Sequence, residues 1–335
     1  MTNDDLSRGT ITRRSLVAGA AAGTFALASD PASAQRCPPA PERVKGPPIF
    51  RNLDQTDIDE GYDNDVYAFN AKNLAERRVY NNRIARSVLA KPERIKYGPS
   101  EIENLDFYKT QRPNAPVLVF IQGGSWRGGA RGSQFAVYAE PFVKAGANFV
   151  VLEFADVRNV GGDIFPLVDQ VRRAIAWTYR NAKNLGGNPD ALYVISRSSG
   201  SHVASCALIT EWEKQGLPRD IIKGAVLGSG MYDLAPVRLS KRSSFVKFTD
   251  AMVEQLSAIR HVGRIHTPLV IGVGAFETPE FQRQAREFAA ALKAAGKPHE
   301  LIVAPGYNHY EIGETIGHPY AVLGRAAMDM MKLNT

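Results

Sequence analysis

The stretch Leu192–His202, LYVISRSSGSH, decides how this chain is read. A β-branched apolar run ends abruptly in small and polar residues, with Ser198 at their centre. A strand that stops at a serine and passes straight into a helix exposes that serine on a strained elbow, as a nucleophile requires. A serine in an ordinary polar turn meets no such demand. The local pattern over Ser196–Gly200 is S-x-S-x-G and not the usual G-x-S-x-G. The surrounding chain therefore has to decide.

On either side, strands alternate with helices. ENLDFYKT (103–110), APVLVFIQ (115–122) and GANFVVLEF (146–154) read as strands, the last two as the continuous apolar runs that a buried strand requires. LVDQVRRAIAWTYRNA (167–182) places Leu167, Val168, Val171, Ala174 and Ile175 on one helical face. DALYVIS (190–196) leads into the elbow, and SGSHVASCALIT (199–210) follows as a helix of small residues that can pack closely on a sheet. KGAVLGSG (223–230), TPLVIGVG (267–274) and HELIVAPG (299–306) are three more strands. TPEFQRQAREFAAALKAAG (278–296) is a helix with Thr278 to cap it, Pro279 at its first position and Gly296 at its end. AVLGRAAMDMMKL (321–333) is a last helix. This alternation predicts an α/β fold, a mostly parallel sheet with helices on both faces. Residues from about 236 to 265 break the pattern and read as a helical insertion near the site. NAKNLAERRVYNNRIARSVLA (70–90) has Leu74, Tyr80, Ile84 and Val88 at helical intervals, so residues 51–100 are expected to form a helical N-terminal arm or cap, and 101–335 the main domain.

The N-terminus carries a separate signal. Arg13 and Arg14, an apolar stretch from Leu16 to Ala28, and Ala32-Ser33-Ala34 form a positive region, a short hydrophobic region and a small-residue cleavage site. The paired arginines resemble the twin-arginine type of bacterial export signal. Residues 1–34 are expected to be removed on export to the periplasm or beyond, followed by a proline-rich linker over 35–50. The apolar run is too short to span a bilayer well, so no stable membrane span is expected after processing. The net charge of +7 comes from scattered basic pairs without a long basic run, which does not indicate a nucleic-acid partner. The two cysteines, Cys37 in the leader and Cys206 in an apolar helix, read as free thiols. No cysteine or histidine cluster has metal-ligand spacing, and no cofactor is expected.

A serine hydroxyl needs a base, a group to orient that base, and donors for the oxyanion. In open α/β sheets such groups collect at the carboxyl ends of strands. Four loops stand there. After the 115–122 strand, QGGSWRGG (122–129) offers Gly123 and Gly124, which permit a tight turn with amides aimed at a ligand. Ser198 follows the 190–196 strand. Glu277 follows the 267–274 strand in AFETPEF (275–281), and His309 follows the final strand in APGYNHYEI (304–312). Asp233 in GSGMYDL is a second candidate acid, with the alternative of shaping a loop near the pocket. His202 reads as a packed helical histidine, His318 as exposed or capping, and Trp126 as a pocket wall or a brace under the glycine loop.

QGGSWRGG, SRSSGSHVA (196–204), AFETPEF and GYNHYEI (306–312), with DQTDIDEGYDNDVYAFN (54–70), resemble the esterase and arylformamidase branch of the α/β-hydrolases, which is related to kynurenine formamidase and the hormone-sensitive-lipase-like enzymes. The resemblance runs from about residue 53 to 333. It implies Ser198 as nucleophile, Glu277 as triad acid and His309 as base, in the order of that fold. It also implies backbone amides of Ser199 and of the Gly124–Ser125 region as oxyanion donors. The expected activity is hydrolysis of small carboxylic esters without a cofactor, the rivals being an arylformamidase and a silent binding protein of the same fold. The chain departs from the family at Gln122, where histidine is usual, and at Ser196, where glycine is usual.

Overall fold

The computed structural model describes residues 43–128 and 132–333. The expected export signal, residues 35–42 of the linker and Cys37 lie outside the described residues. From Gly46 onward the chain forms one unit. In chain order its elements are α1 (Gln55–Gly61), α2 (Ala71–Val88), β1 (Glu93–Lys96), β2 (Asn104–Tyr108), β3 (Ala115–Ile121), α3 (Ala136–Lys144), β4 (Asn148–Leu152) and α4 (Phe165–Asn181). They continue with β5 (Gly187–Arg197), α5 (Ser199–Leu208), β6 (Gly224–Gly228), α6 (Leu234–Val237), α7 (Asp250–Leu256) and β7 (Leu269–Gly274). The last are α8 (Pro279–Ala294), β8 (His299–Ala304), α9 (His309–Glu314) and α10 (Val322–Met330).

One eight-stranded sheet runs β1-β2-β4-β3-β5-β6-β7-β8. The pairs β1–β2 and β2–β4 are antiparallel, and the other five are parallel. The fold is an α/β-hydrolase fold, as the sequence predicts. Period-two alternation sends β3 side chains to two cores. Val117, Val119 and Ile121 join the layer of α4, α5 and α8, with Val171, Val203 and Phe288. Leu118 and Phe120 join the layer of α3, α9 and α10, with Phe142, Ile312 and Met328. Both faces are covered, which is why these strands are apolar throughout.

The helical arm expected over 51–100 needs correction at its end. Its two helices form, but Glu93–Lys96 is a strand of the sheet. It is an edge strand of mostly exposed residues, ERIK, and so lacks the apolar run that marks a buried one. The 236–265 insertion is helical, formed by the end of α6, α7 and flanking 3-10 turns.

β3 lies between β4 and β5, so successive connections leave it in opposite directions. A crevice opens at the carboxyl ends where strand order reverses. The register pairs Ile121 with Ser196, Arg197 with Gly228, and Gly274 with Ala304. The loops carrying Gln122–Trp126, Ser198, Ser229, Glu277 and His309 therefore leave the sheet along one edge.

Candidate active site

Ser198 stands between β5 and α5 with φ 54° and ψ −133°. A non-glycine residue there is strained by about 1–3 kcal/mol, and the surroundings must hold it. Its amide donates to the Gly228 carbonyl at 2.7 Å, and its carbonyl accepts from the Ser201 amide at 2.8 Å. Gly200 is obligatory: a Cβ on it would lie 2.3 Å from the Ile121 carbonyl oxygen and 2.4 Å from that of Gln122. Ser196, where the resemblance expects glycine, is accommodated. Its buried hydroxyl lies 3.0 Å from Ser201 Oγ, which in turn donates to the Gly228 carbonyl at 2.8 Å.

The Ser198 hydroxyl lies 2.9 Å from His309 Nε2, and His309 Nδ1 lies 2.6 Å from Glu277 Oε2. A carboxylate can only accept, so Nδ1 carries the proton and Nε2 is left to accept from Ser198. All three residues are buried. Glu277 Oε1 accepts from Ser229 Oγ at 2.6 Å and from the Gly274 amide at 2.7 Å. These donors fix the plane of the carboxylate. His309 is the first residue of α9, whose Asn308 cap forms a reciprocal box with Glu311. Asn308 donates to Asn70 Oδ1, and Asn70 donates to Glu311, so the start of α2 braces the histidine loop. The Phe281 ring lies 4.6 Å from the imidazole, centroid to centroid.

The loop after β3 packs directly on the elbow. A Cβ on Gly123 would meet Ser198 Cβ and the Arg197 carbonyl oxygen, each at 2.7 Å. Gly124, Ser125 and Trp126 all have positive φ (118°, 56° and 58°), which turns successive amides through a tight arc. The Trp126 amide donates to Ser199 Oγ at 2.9 Å, tying this loop to the first turn of α5. The first amides of a helix have no intrahelical acceptor, which leaves those of Ser199 and Gly200 at the start of α5 able to donate to an anion. Gln122 is buried beside the loop.

The remaining sequence candidates fall into supporting places. Asp233 makes no contact with His309. It caps α6 through the Ala235 amide at 3.0 Å, whereas Glu277 is the carboxylate hydrogen-bonded to His309. His202 is fully buried. Its Nδ1 accepts from Trp126 Nε1 at 3.0 Å, and its Nε2 donates to the Leu256 carbonyl at 3.0 Å. Burial pushes its pKa down to about 4, so it is a neutral strut between the glycine loop and α7. Trp126 is therefore a brace. His318 is exposed, its Nδ1 accepting from the Tyr320 amide. Cys206 is a buried free thiol, its pKa raised by burial to about 12. Among the described residues no group of three or more His, Cys, Asp or Glu side chains is arranged to hold a metal ion.

Ser229 is a site residue that the sequence reading does not single out, although it follows a strand end in the GSG of residues 228–230. The capping box at Asn308 is visible as N-x-x-E in NHYE (308–311).

The BD-FAE family model matches residues 105–228, which include β3, β5 and the elbow. Kynurenine formamidase of Danio rerio is 27% identical over 254 residues, covering 74% of this chain and 84% of that protein. Esterase LipC of Mycobacterium tuberculosis is 29% identical over 241 residues, covering 64% of this chain and 59% of that protein. The structure of the Pyrobaculum calidifontis esterase superposes with a TM-score of 0.64 at 15% identity, covering 79% of this chain and 93% of that one. With the sheet order and the strand-end loops, these similarities support an α/β-hydrolase similar to esterases and arylformamidase-like proteins.

Proposed function

We propose that this α/β-hydrolase cleaves small carboxylic esters, with Ser198 as nucleophile, His309 as general base and Glu277 as the residue that orients and stabilises the imidazolium. The observation that carries this reading is the continuous hydrogen-bonded line from Ser198 Oγ through His309 to Glu277. In the first step Oγ bonds to the ester carbonyl carbon and its proton moves to Nε2. The carbonyl oxygen becomes an oxyanion, met by the amides of Ser199 and the Gly124–Ser125 turn. The carbon–oxygen bond to the alcohol then breaks, and Nε2 returns the proton to the leaving alkoxide. Water, deprotonated by His309, attacks the acyl-serine and frees the acid.

The similarity to a kynurenine formamidase favours a second reading, hydrolysis of an aryl formamide by the same residues. A silent binding protein would have no need to keep Ser198 strained at φ 54° against an oriented histidine. The twin-arginine-like N-terminus supports a place for the processed protein in the periplasm or outside the cell. No helix among the described residues is long and apolar enough to cross a membrane. The test is a panel of aryl esters of increasing acyl length with one aryl formamide. Turnover of short esters well above that of the formamide is expected. Turnover of the formamide alone would replace ester by amide chemistry, and no turnover of either would overturn the hydrolase reading.

A further inference from the structure

We propose that Arg242 anchors a carboxylate carried by the substrate, in a polar cavity between the glycine loop and the histidine loop. This rests on the hydrolase reading above and names the substrate class of that same site. The cavity, of about 180 Å³, is lined by Tyr62, Ser125, Arg127, Arg242, Phe245 and Tyr310 among others. Ser125 belongs to the turn that packs on the elbow, and Tyr310 directly follows His309. A molecule whose carbonyl reached Ser198 would have this cavity beside it.

Arg242 is buried, and its guanidinium lies 5.7 Å from the centre of the Trp126 ring. One Nη2 proton goes to the Tyr62 carbonyl at 2.8 Å. Nε and Nη1 have no acceptor among the described residues, which leaves three N–H groups unanswered. No carboxylate of the described residues forms an ion pair with it. Arginine does not escape this cost by losing its proton at physiological pH, and a buried charge without a partner is expensive. Burial lowers its pKa to about 10, which still leaves it charged at neutral pH. The position is what an anion-binding group looks like before its anion arrives.

Other charges on the cavity wall narrow the choice of anion. Asp59 accepts from the Lys241 amide, Asp63 from the Asp65 amide, and Asp65 from the Tyr310 hydroxyl. Asp63 and Asp65 are exposed, as are Lys241 and Arg127, so these rim charges are solvated. The wall sets three aspartates against Arg127, Lys241 and Arg242, so it carries no surplus of positive charge for a dianion such as a phosphate monoester. A single carboxylate meets the one buried cation and fits the small volume.

The experiment compares charged esters with neutral counterparts in the wild type and in Arg242→Gln. On the acyl side the pair is mono(para-nitrophenyl) glutarate and the matching glutaramate. On the alcohol side it is para-acetoxybenzoate and para-acetoxybenzamide. Uncatalysed rates are subtracted. In one of the pairs the wild type is expected to prefer the carboxylate in kcat/KM by roughly ten- to a hundredfold, the range for a hydrogen bond to a charged group. Arg242→Gln is expected to bring that ratio near unity. Because the readout is a ratio, a loss common to both esters does not disturb it. If that variant fails to fold, the wild-type ratio and Arg242→Lys decide, the lysine variant keeping part of the preference. Calorimetry of glutarate against glutaramide on Ser198→Ala reads the pocket without turnover. Glutarate binding that disappears with Arg242→Gln, in a protein that hydrolyses no ester, would support the pocket and refute the reaction. Ester hydrolysis with no carboxylate preference and no glutarate binding would overturn the proposal and leave the reaction standing. A preference unchanged in Arg242→Gln would also overturn it.

Discussion

Lowering the pH from 7 to 5 is expected to destabilise this fold through His202 alone by about 2 kcal/mol. The imidazole is fully buried in α5, with Nδ1 accepting from Trp126 and Nε2 donating to the Leu256 carbonyl. A proton on Nδ1 would set two donors face to face with no water nearby. Burial accordingly holds the pKa near 4, against about 6.5 for an ordinary histidine. As pH falls the unfolded chain takes its proton first, so stability is present above about 6.5 and is lost progressively down to about 4. The whole interval amounts to about 3 kcal/mol, of which about 2 kcal/mol is gone by pH 5. The contrast is His202→Gln, whose amide oxygen can accept and whose nitrogen can donate, but which does not titrate. Urea unfolding at pH 7 and pH 5 gives the loss for each protein. Carboxylates elsewhere contribute equally to both, so the difference isolates residue 202. The wild type should lose about 2 kcal/mol more than the variant. Equal losses would refute the assignment of His202 as a neutral strut.

Two further outcomes follow from the site and one from the N-terminal sequence. Gly123→Ala places a methyl 2.7 Å from Ser198 Cβ and from a backbone carbonyl, so it should lower ester kcat by about a hundredfold or more while the protein still unfolds cooperatively. Near-native turnover would mean that the loop does not hold the elbow. Ser229→Ala removes the 2.6 Å hydrogen bond to Glu277 and should lower kcat by roughly ten- to a hundredfold with KM little changed, measured by steady-state kinetics. Replacing Arg13 and Arg14 by lysine should leave unprocessed precursor in the cytoplasm, read by fractionation and immunoblotting, and normal processing would point to another route.

Much of this architecture was legible because its signals are local. β3, β6 and β7 are unbroken apolar runs and β4 is one from Phe149 onward, since both faces of the sheet are covered. The start of α8, with Thr278 as its cap and Pro279 at its first position, is visible in those two residues. Ser198, Glu277 and His309 could be picked out because each follows a strand, and parallel strand ends must lie together. What the sequence does not display depends on distant packing. Ser229 meets Glu277 across 48 residues, and nothing near residue 229 announces an acid to support. Arg242 sits in an insertion whose pattern reads only as helical, and its burial comes from α1 and the glycine loop. β1 is a polar edge strand with one half-buried apolar residue, Ile95, too little to mark it. Asp233 and Glu277 both follow strand ends. Only the geometry separates them, because Asp233 spends its side chain on the start of α6.

The central claim is that Ser198 is a nucleophile activated by His309, and the most direct measurement is covalent labelling by a fluorophosphonate. The probe reacts with an activated serine whatever ester the enzyme prefers, so it does not depend on knowing the substrate. Intact-mass and peptide mapping of the treated protein are expected to show one adduct, on Ser198, that is absent in Ser198→Ala and strongly slowed in His309→Ala. An unlabelled wild-type protein, or an adduct on another residue that persists in Ser198→Ala, would contradict the account.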